Sequence, residues 1–422
     1  MTNSNAGESI TVSITGLAVG GACIGQVTAG REGVVGKKAF VRDALPGEVV
    51  ECEIVKEHDR FVDARLVSIT TPSSARRAAP CQYAAACGGC DLQHSEVTEQ
   101  RRMKKMMIEQ MLARQAGITV PGGVVELGPT LPELHYRNRI TLHVSESGQI
   151  GYYKRGTSSV VDIQQCLLAN AAINTELNKL RTGLRKASRV ISGVIFDNPP
   201  GTSEVHVVAQ IPESVRITDS FRQIPEVQEL LHLNPAIEFE QRGNSLFEPG
   251  DDDGFPAGHF SQVNHAGNQL LIEEVLRSVR SSALTELYAG SGNFSLPLAR
   301  TGKRVDAVEL DPELVDYGVK LASQQGLTKN VQFFTMSCEQ FVKVRPLRES
   351  LLLDPPRAGA KEVVGKFDPK ILKEVVYVSC SLPMLARDLK ALVQRGYRVE
   401  RVAFVDMFPQ THHVETVTTL RC

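Results

Sequence analysis

The sequence predicts a three-part chain: a small five-stranded β-barrel, a central α+β region and a C-terminal doubly wound α/β domain. Three observations predict it. Residues 9–70 alternate apolar and polar residues in short runs broken by Gly and Pro, the pattern of half-buried strands. Residues 120–250 mix strand-like runs ("RNRITLHVS", "QIGYYKR", "SEVHVVAQI") with a helical stretch near 170–189. After Phe255 the apolar runs "SALTELYAG", "RVDAVEL", "NVQFFTM", "ESLLLDPP" and "VVYVSC" are separated by helical patterns, as a doubly wound sheet requires.

In order along the chain, "SITVSIT", "GVVGKKAFV", "GEVVECEIV" and "FVDARLVSI" read as barrel strands. "GLAVGGACIGQV" reads as a Gly-rich bend and "ALPGE" as a turn. "TTPSSARRAAP" is a linker. From Ser95 to Gln115 the period becomes helical, with Val97, Met103, Met106, Met107, Met111 and Leu112 on one side. The basic run "QRRMKKM" (Gln100–Met106) lies on that helix; it reads either as a solvated face or as a phosphate contact. The expected domains are 9–70, 75–255 and 256–422.

Of the 422 residues, 42% are hydrophobic and 23% charged, an ordinary globular composition. The formal net charge of -1 argues against whole-molecule attraction to nucleic acid, though not against a local patch. The start lacks a basic patch followed by an apolar run, so no signal peptide is expected. No window approaches the ~18 apolar residues of a membrane span, so no membrane partner is expected. Nine cysteines without a secretory signal point to a reducing, cytoplasmic compartment, where thiols serve metals or catalysis more often than disulfides.

The chemistry-bearing residues fall at the ends of apolar strands. In "ELYAGSGNFSLPLA" a strand meets a glycine turn and a helix start; Gly290 and Gly292 leave room for a ligand beside unpaired N–H groups. Glu309 ends the next apolar strand, where an acid can hold ribose hydroxyls, so the pair suggests a nucleoside-containing cofactor. Asp354 ends a third strand, before two prolines that cannot join a ladder. Cys380 ends a fourth. Open α/β sheets bind ligands at the carboxyl ends of their strands, and Tyr288, Glu309, Asp354 and Cys380 all stand there.

A second cysteine set is "CQYAAACGGC": Cys81, Cys87 and Cys90, with Cys166 in "IQQCLL" as the remaining nearby thiol. Three close cysteines and one distant one suit a four-thiolate zinc site or an iron–sulfur cluster, and spacing alone does not choose. Cys23, Cys52, Cys338 and Cys422 have no partner pattern and read as core or bystander residues. His412 and His413 read as orienting or packing residues, with a catalytic role as the alternative.

With these motifs in view, the chain resembles the bacterial RNA 5-methyluridine methyltransferases, the cluster-containing kind with an N-terminal TRAM domain. Residues 9–70 resemble TRAM, a small OB-like RNA-binding barrel. "FSQVN" (Phe260–Asn264), "YAGSGNFSLPLA", "DPPRAG", "YVSCSLPMLARDL" and "DMFPQTHHVETV" match the family's catalytic motifs in order. The resemblance implies a Rossmann-like methyltransferase domain over 256–422. It implies that Gln262, Tyr288, Asn293, Glu309 and Asp354 contact S-adenosylmethionine or the base beside it. Cys380 takes the nucleophile's place and Glu415 the general base's. Cys81, Cys87, Cys90 and Cys166 take the places of the 4Fe–4S ligands. The chain departs from the family at Ser381-Leu382, where Asn-Pro is frequent, and at Ser337, where an acid or amide is common.

The implied reaction is methylation of uracil C5 in RNA, presented as a single strand or loop so that the base leaves its stack cheaply. The barrel-plus-cluster architecture points to large-subunit ribosomal RNA; transfer RNA is the alternative substrate. A non-catalytic RNA-binding protein of the same fold has no use for Cys380 and Glu415. A zinc-stabilised protein methyltransferase is disfavoured by "DPPR" with a strand-end cysteine. No obligate protein partner is evident.

Overall fold

The computed structural model describes residues 7–128, 131–199, 202–217, 220–241, 244–245 and 262–422. They pack as two compact units: residues 1–77, 94–131 and 267–422 form one, and 78–93 with 132–266 the other.

The first unit begins with the barrel. Its strands are β1 (Ser9–Leu17), β2 (Cys23–Ala29), β3 (Lys38–Val41), β4 (Val49–Glu57) and β5 (Phe61–Thr71), closed in the order β1-β2-β3-β5-β4. Closure removes the unpaired edges that short strands otherwise expose. Ile10, Val12 and Ile14 alternate inward on β1, and Val50, Cys52 and Ile54 do so on β4. The expected Gly-rich bend is shorter than its glycines suggest. The chain turns only over 18–22, and Gly25 lies inside β2, where a Cβ would come within 2.5 Å of the Ser13 carbonyl oxygen. Glycine there permits close strand approach and not a turn.

Helix α1 (Val97–Met111) follows, ended by a wider turn over Leu112–Ala116 and Gly117 at φ 68. It belongs to the first unit, not to the central segment in which the sequence places it. Its "QRRMKKM" run is not a solvated face throughout: Gln100 and Lys104 are buried, while Arg102 stays exposed. Lys104 Nζ reaches Asp406 Oδ1 at 2.6 Å with both side chains buried. Removing one partner alone strands a buried charge, a loss of about 3–5 kcal/mol. Strand β6 (Val125–Leu127) then joins the far edge of the C-terminal sheet.

The second unit is α+β. Strands β7 (Arg139–Val144), β8 (Ile150–Tyr153), β9 (Val160–Asp162), β10 (Gly193–Asp197), β11 (His206–Gln210), β12 (Glu238–Gln241) and β13 (Asn244–Ser245) form one sheet. Its order is β13-β12-β11-β10-β7-β8-β9. Helices α2 (Ala171–Lys186) and α3 (Pro225–Leu233) supply Ile173, Leu177, Leu180, Val227 and Leu230 to its core. Asn170 caps α2 by accepting from the Ile173 N–H at 3.0 Å.

The C-terminal part of the first unit alternates helices and strands: α4 (His265–Ser278), β14 (Ala283–Leu287), α5 (Ser295–Arg300), β15 (Arg304–Glu309), α6 (Pro312–Gln324), β16 (Val331–Thr335), α7 (Cys338–Val344), β17 (Ser350–Leu353), α8 (Lys361–Val364), β18 (Glu374–Ser379), α9 (Leu382–Gln394), β19 (Arg398–Val405) and β20 (Glu415–Arg421). The sheet order is β16-β15-β14-β17-β18-β20-β19-β6. Order reverses between β14 and β17, so the crevice at their carboxyl ends is the switch point where such sheets bind ligands. β17 and β18 are buried along their whole length, as expected of central strands covered on both faces. Among the described residues no helix is long and apolar enough to cross a membrane.

Candidate active site

One edge of the C-terminal sheet gathers the strand-end residues. Tyr288 follows β14, Glu309 ends β15, Asp354 follows β17 and Cys380 follows β18. All four strands are parallel, so their carboxyl ends share that edge. β20 is antiparallel to β18, with Ser379 opposite Thr416 and Glu374 opposite Arg421. Its first residue, Glu415, therefore stands beside the last residues of β18. The Thr416 hydroxyl donates to the Ser379 carbonyl at 3.0 Å and fixes that join. Reversal of one strand is thus what brings Glu415 to the Cys380 thiol.

The thiol opens on a cavity of about 190 Å³ lined also by Arg357, His412, His413, Met107 and Val19. Val19 comes from the loop between β1 and β2, so the barrel supplies part of the wall. Burial pushes the Cys380 thiol up to about 11; Glu415 and Asp354 add to this, and Arg357 opposes it. Burial, then Asp354, holds Glu415 well above the usual carboxyl range, again against Arg357. Burial likewise raises Asp354. Carboxyls brought together out of water disfavour each other's ionisation, so this edge accepts cations and holds protons.

Beside it lies the glycine turn. Gly290 and Gly292 have φ 55 and 96, and Tyr288, a non-glycine residue, has φ 64. Left-handed backbone in a large side chain is uncommon and clusters at functional sites. Glu309 Oε2 accepts from the Gly290 N–H at 2.9 Å, and Oε1 from Leu310 at 2.7 Å and Asp311 at 3.0 Å. Three backbone donors orient the carboxylate, and Oε2 keeps a lone pair for a further hydroxyl. Asn293 exchanges two amide bonds with Asn268 of α4, at 2.8 and 3.1 Å. Gln262 falls in the second unit, three residues before α4; Phe260 and Ser261 of its motif lie outside the described residues.

Several residues of this edge escape sequence reasoning. Glu286 on β14 is fully buried and bonded by the Ser295 hydroxyl, yet its Oε1 has no partner; burial pushes it up to about 8. An acid inside the apolar run "ALTEL" was the available signal. Asp388 on α9 accepts from the Tyr377 hydroxyl and the Ala360 N–H, both at 2.7 Å. It thereby ties the loop after Asp354 to the strand carrying Cys380.

In the second unit the four cysteines share one cavity of about 60 Å³ with Tyr83, Gln93, Arg137 and Tyr152. Cys87 bridges to Lys154, and a Cβ at Gly88 would press to 2.8 Å of the Tyr153 carbonyl oxygen, so the loop lies flush on β8 only with glycine there. Asn174 of α2 receives the Cys166 N–H at 2.9 Å and donates to its carbonyl at 3.0 Å. The Tyr152 hydroxyl points at Cys166 Sγ, 3.9 Å away. Burial pushes Cys90 up to about 12, with Cys166 and Cys87 adding to it. Among the described residues no group of three or more His, Cys, Asp or Glu side chains is arranged to hold a single metal ion.

A doubly wound sheet with a glycine turn at its switch point, and a thiol and carboxyls on the same edge, is the arrangement of an α/β group-transfer enzyme. Comparison with known proteins agrees. Residues 254–421 match the family described as tRNA (Uracil-5-)-methyltransferase, and residues 3–67 match the TRAM domain. The 23S rRNA (uracil(1939)-C(5))-methyltransferase RlmD of Pseudomonas fluorescens is 32% identical over 407 residues, 90% of this chain and 87% of that one. The enzyme of the same name from Pectobacterium atrosepticum is 33% identical over 408 residues, 90% and 88% of the two chains. The tRNA (uracil-54, C5)-methyltransferase of Pyrococcus abyssi, solved with S-adenosyl-L-homocysteine, superposes with a TM-score of 0.74. It is 21% identical and covers 97% of this chain and 99% of its own, a likeness of fold. The chain belongs to the family of RNA uracil-C5 methyltransferases.

Proposed function

We propose that the chain methylates C5 of a uridine in 23S ribosomal RNA, with Cys380 as nucleophile and Glu415 as general base. The observation that carries this reading is the antiparallel join of β20 to β18, which sets the carboxyl beside the thiol at the switch-point edge. S-adenosylmethionine supplies a methyl group on a positively charged sulfur. The residues fit that donor: Gly290 has open space where a Cβ would stand, and the buried Glu286 Oε1 is unpartnered. The oriented Glu309 carboxylate suits ribose hydroxyls, with Tyr288, Asn293 and Asp354 around the same turn and Gln262 assigned by resemblance. A cation arriving beside Asp354 and Glu415 favours both the ionised thiol and the ionised Glu415 carboxyl that serves as base.

The chemistry needs both residues. C5 of uracil is a weak nucleophile. The Cys380 thiolate adds to C6, and the C5–C6 π electrons pass to an enolate. C5 then forms a bond to the methyl carbon as the carbon–sulfur bond of the donor breaks. C5 now carries both a hydrogen and a methyl group beside a carbonyl. The Glu415 carboxylate takes that proton, the double bond re-forms and the thiolate leaves. Thiol and methyl approach opposite faces of the ring, so the target base must be unstacked.

Mapping 5-methyluridine in total RNA with and without the chain tests the substrate. The expected result is one modified uridine in 23S rRNA that disappears without it; loss confined to transfer RNA would move the assignment there.

We also propose that Cys81, Cys87, Cys90 and Cys166 hold a 4Fe–4S cluster in a structural or RNA-positioning role. Its support is four thiols lining one cavity, a set of the size that a four-thiolate centre needs, with the resemblance naming the cluster. Protein purified without oxygen should be brown and carry about four irons per chain. Cys166→Ser should lose that iron. One equivalent of zinc and no iron would reject the assignment.

A further inference from the structure

We propose that helix α1, through Gln100 and Lys104, is the positioning element for the loop that brings His412 and His413 to the cavity of Cys380 and Glu415 to the strand end beside it; the part concerning Glu415 rests on the general-base reading above. Gln100 and Lys104 are four residues apart, so they lie on one face of α1. Both are fully buried. The Gln100 amide is used at both ends. Its Oε1 accepts the Gln410 N–H at 2.9 Å, and its Nε2 donates to Gln410 Oε1 at 3.0 Å and to the Ser95 carbonyl at 2.9 Å. Lys104 Nζ donates to Asp406 Oδ1 at 2.6 Å and to the Phe408 carbonyl at 3.1 Å.

Residues 406, 408 and 410 are therefore all held by one helix face some 300 positions earlier in the chain. The grip falls where the loop needs it. Gln410 has φ 71, a left-handed conformation that a residue with a side chain adopts only when its surroundings impose it. The loop also closes on itself, with the Thr411 hydroxyl donating to the Phe408 carbonyl at 2.8 Å. Directly after it come His412 and His413, whose rings line the cavity, and then Glu415 at the start of β20. α1 also contributes Met107 to the cavity wall, one turn beyond Lys104.

Polar side chains sealed from water on an otherwise apolar helix face set geometry more than they add stability. A slack loop leaves the base misplaced for proton removal while RNA and donor still bind. The expected signature is a fall in kcat with KM unchanged.

Two variants test this with full-length protein. Gln100→Ala should lower kcat on the order of tenfold, with KM for RNA and affinity for S-adenosylmethionine as in wild type. Lys104→Met alone strands Asp406, so the second variant is Lys104→Met with Asp406→Leu. It removes both charges, keeps the packing and frees the Phe408 carbonyl. It should melt as wild type does yet show the same fall in kcat. Wild-type kcat in either folded variant, or a change in KM alone, overturns the proposal. Glu415→Gln run alongside keeps the two ideas apart: its failure to accumulate an adduct removes the general-base role, while kcat in the α1 variants still decides the positioning role.

Discussion

Cys380→Ala is expected to give a folded protein that binds S-adenosylmethionine, makes no 5-methyluridine and forms no covalent RNA adduct. Turnover should fall by more than about 10⁴-fold, because without addition at C6 no electron density reaches C5. Folding should barely change. The side chain is small and lies at the cavity, so the loss sits near the bottom of the usual mutational range, about 1 kcal/mol or less. The thiol's ionisation gives an independent check. Only the thiolate is alkylated. In the free protein burial and two carboxyls place its titration near 11, so the iodoacetamide rate should climb with pH and level off there. Arg357→Ala should push that midpoint higher, since the Arg357 charge favours the anion. Normal turnover in Cys380→Ala would return this residue to the role of a packed cysteine.

The parts of this molecule that follow a period were legible in its sequence. Alternation along "SITVSIT" and "GEVVECEIV" gives a barrel wall, and the spacing of "ELYAG", "DAVEL" and "LLLDPP" gives strands whose ends share an edge. What was not legible depends on pairing at long range. "ETVTTLR" carries no alternation because both faces of β20 are covered; its β-branched run suits a strand, but nothing local marks it as antiparallel to β18. The position of Glu415 came from motif resemblance, and the reversed strand explains it physically. Lys104 sits in a basic run that looks solvated, and only the fold shows Asp406 opposite it. Tyr288 reads as the next residue of an apolar strand, whereas its backbone has turned left-handed, the conformation expected of glycine. The barrel's Gly-rich loop shows the same limit in reverse. Composition marks it as a bend, but not that Val19 at its tip lines the cavity of Cys380.

Glu415→Gln is expected to separate the two halves of the reaction. The carboxamide fills the same space but takes no proton from carbon. The thiol should still add and the methyl group should still transfer. C5 then keeps its proton, the double bond does not re-form and Cys380 stays bonded to C6. A methylated protein–RNA adduct should build up, seen as a denaturation-resistant shifted band, while free 5-methyluridine product falls by about 10²–10⁴-fold. Wild-type enzyme given 5-fluorouridine RNA should stop at the same point, because fluorine does not leave as a cation. The variant should also move the Cys380 midpoint downward from about 11, since Glu415 is the first of the two carboxyls that raise it. Alkylation at pH 8 should therefore be faster in Glu415→Gln than in wild type, although the variant is the poorer enzyme. Faster alkylation with slower product release is a combination that general loss of structure does not produce. If Glu415→Gln turns over normally, or if neither it nor the fluorinated substrate traps an adduct, the carboxyl beside the thiol is not the base.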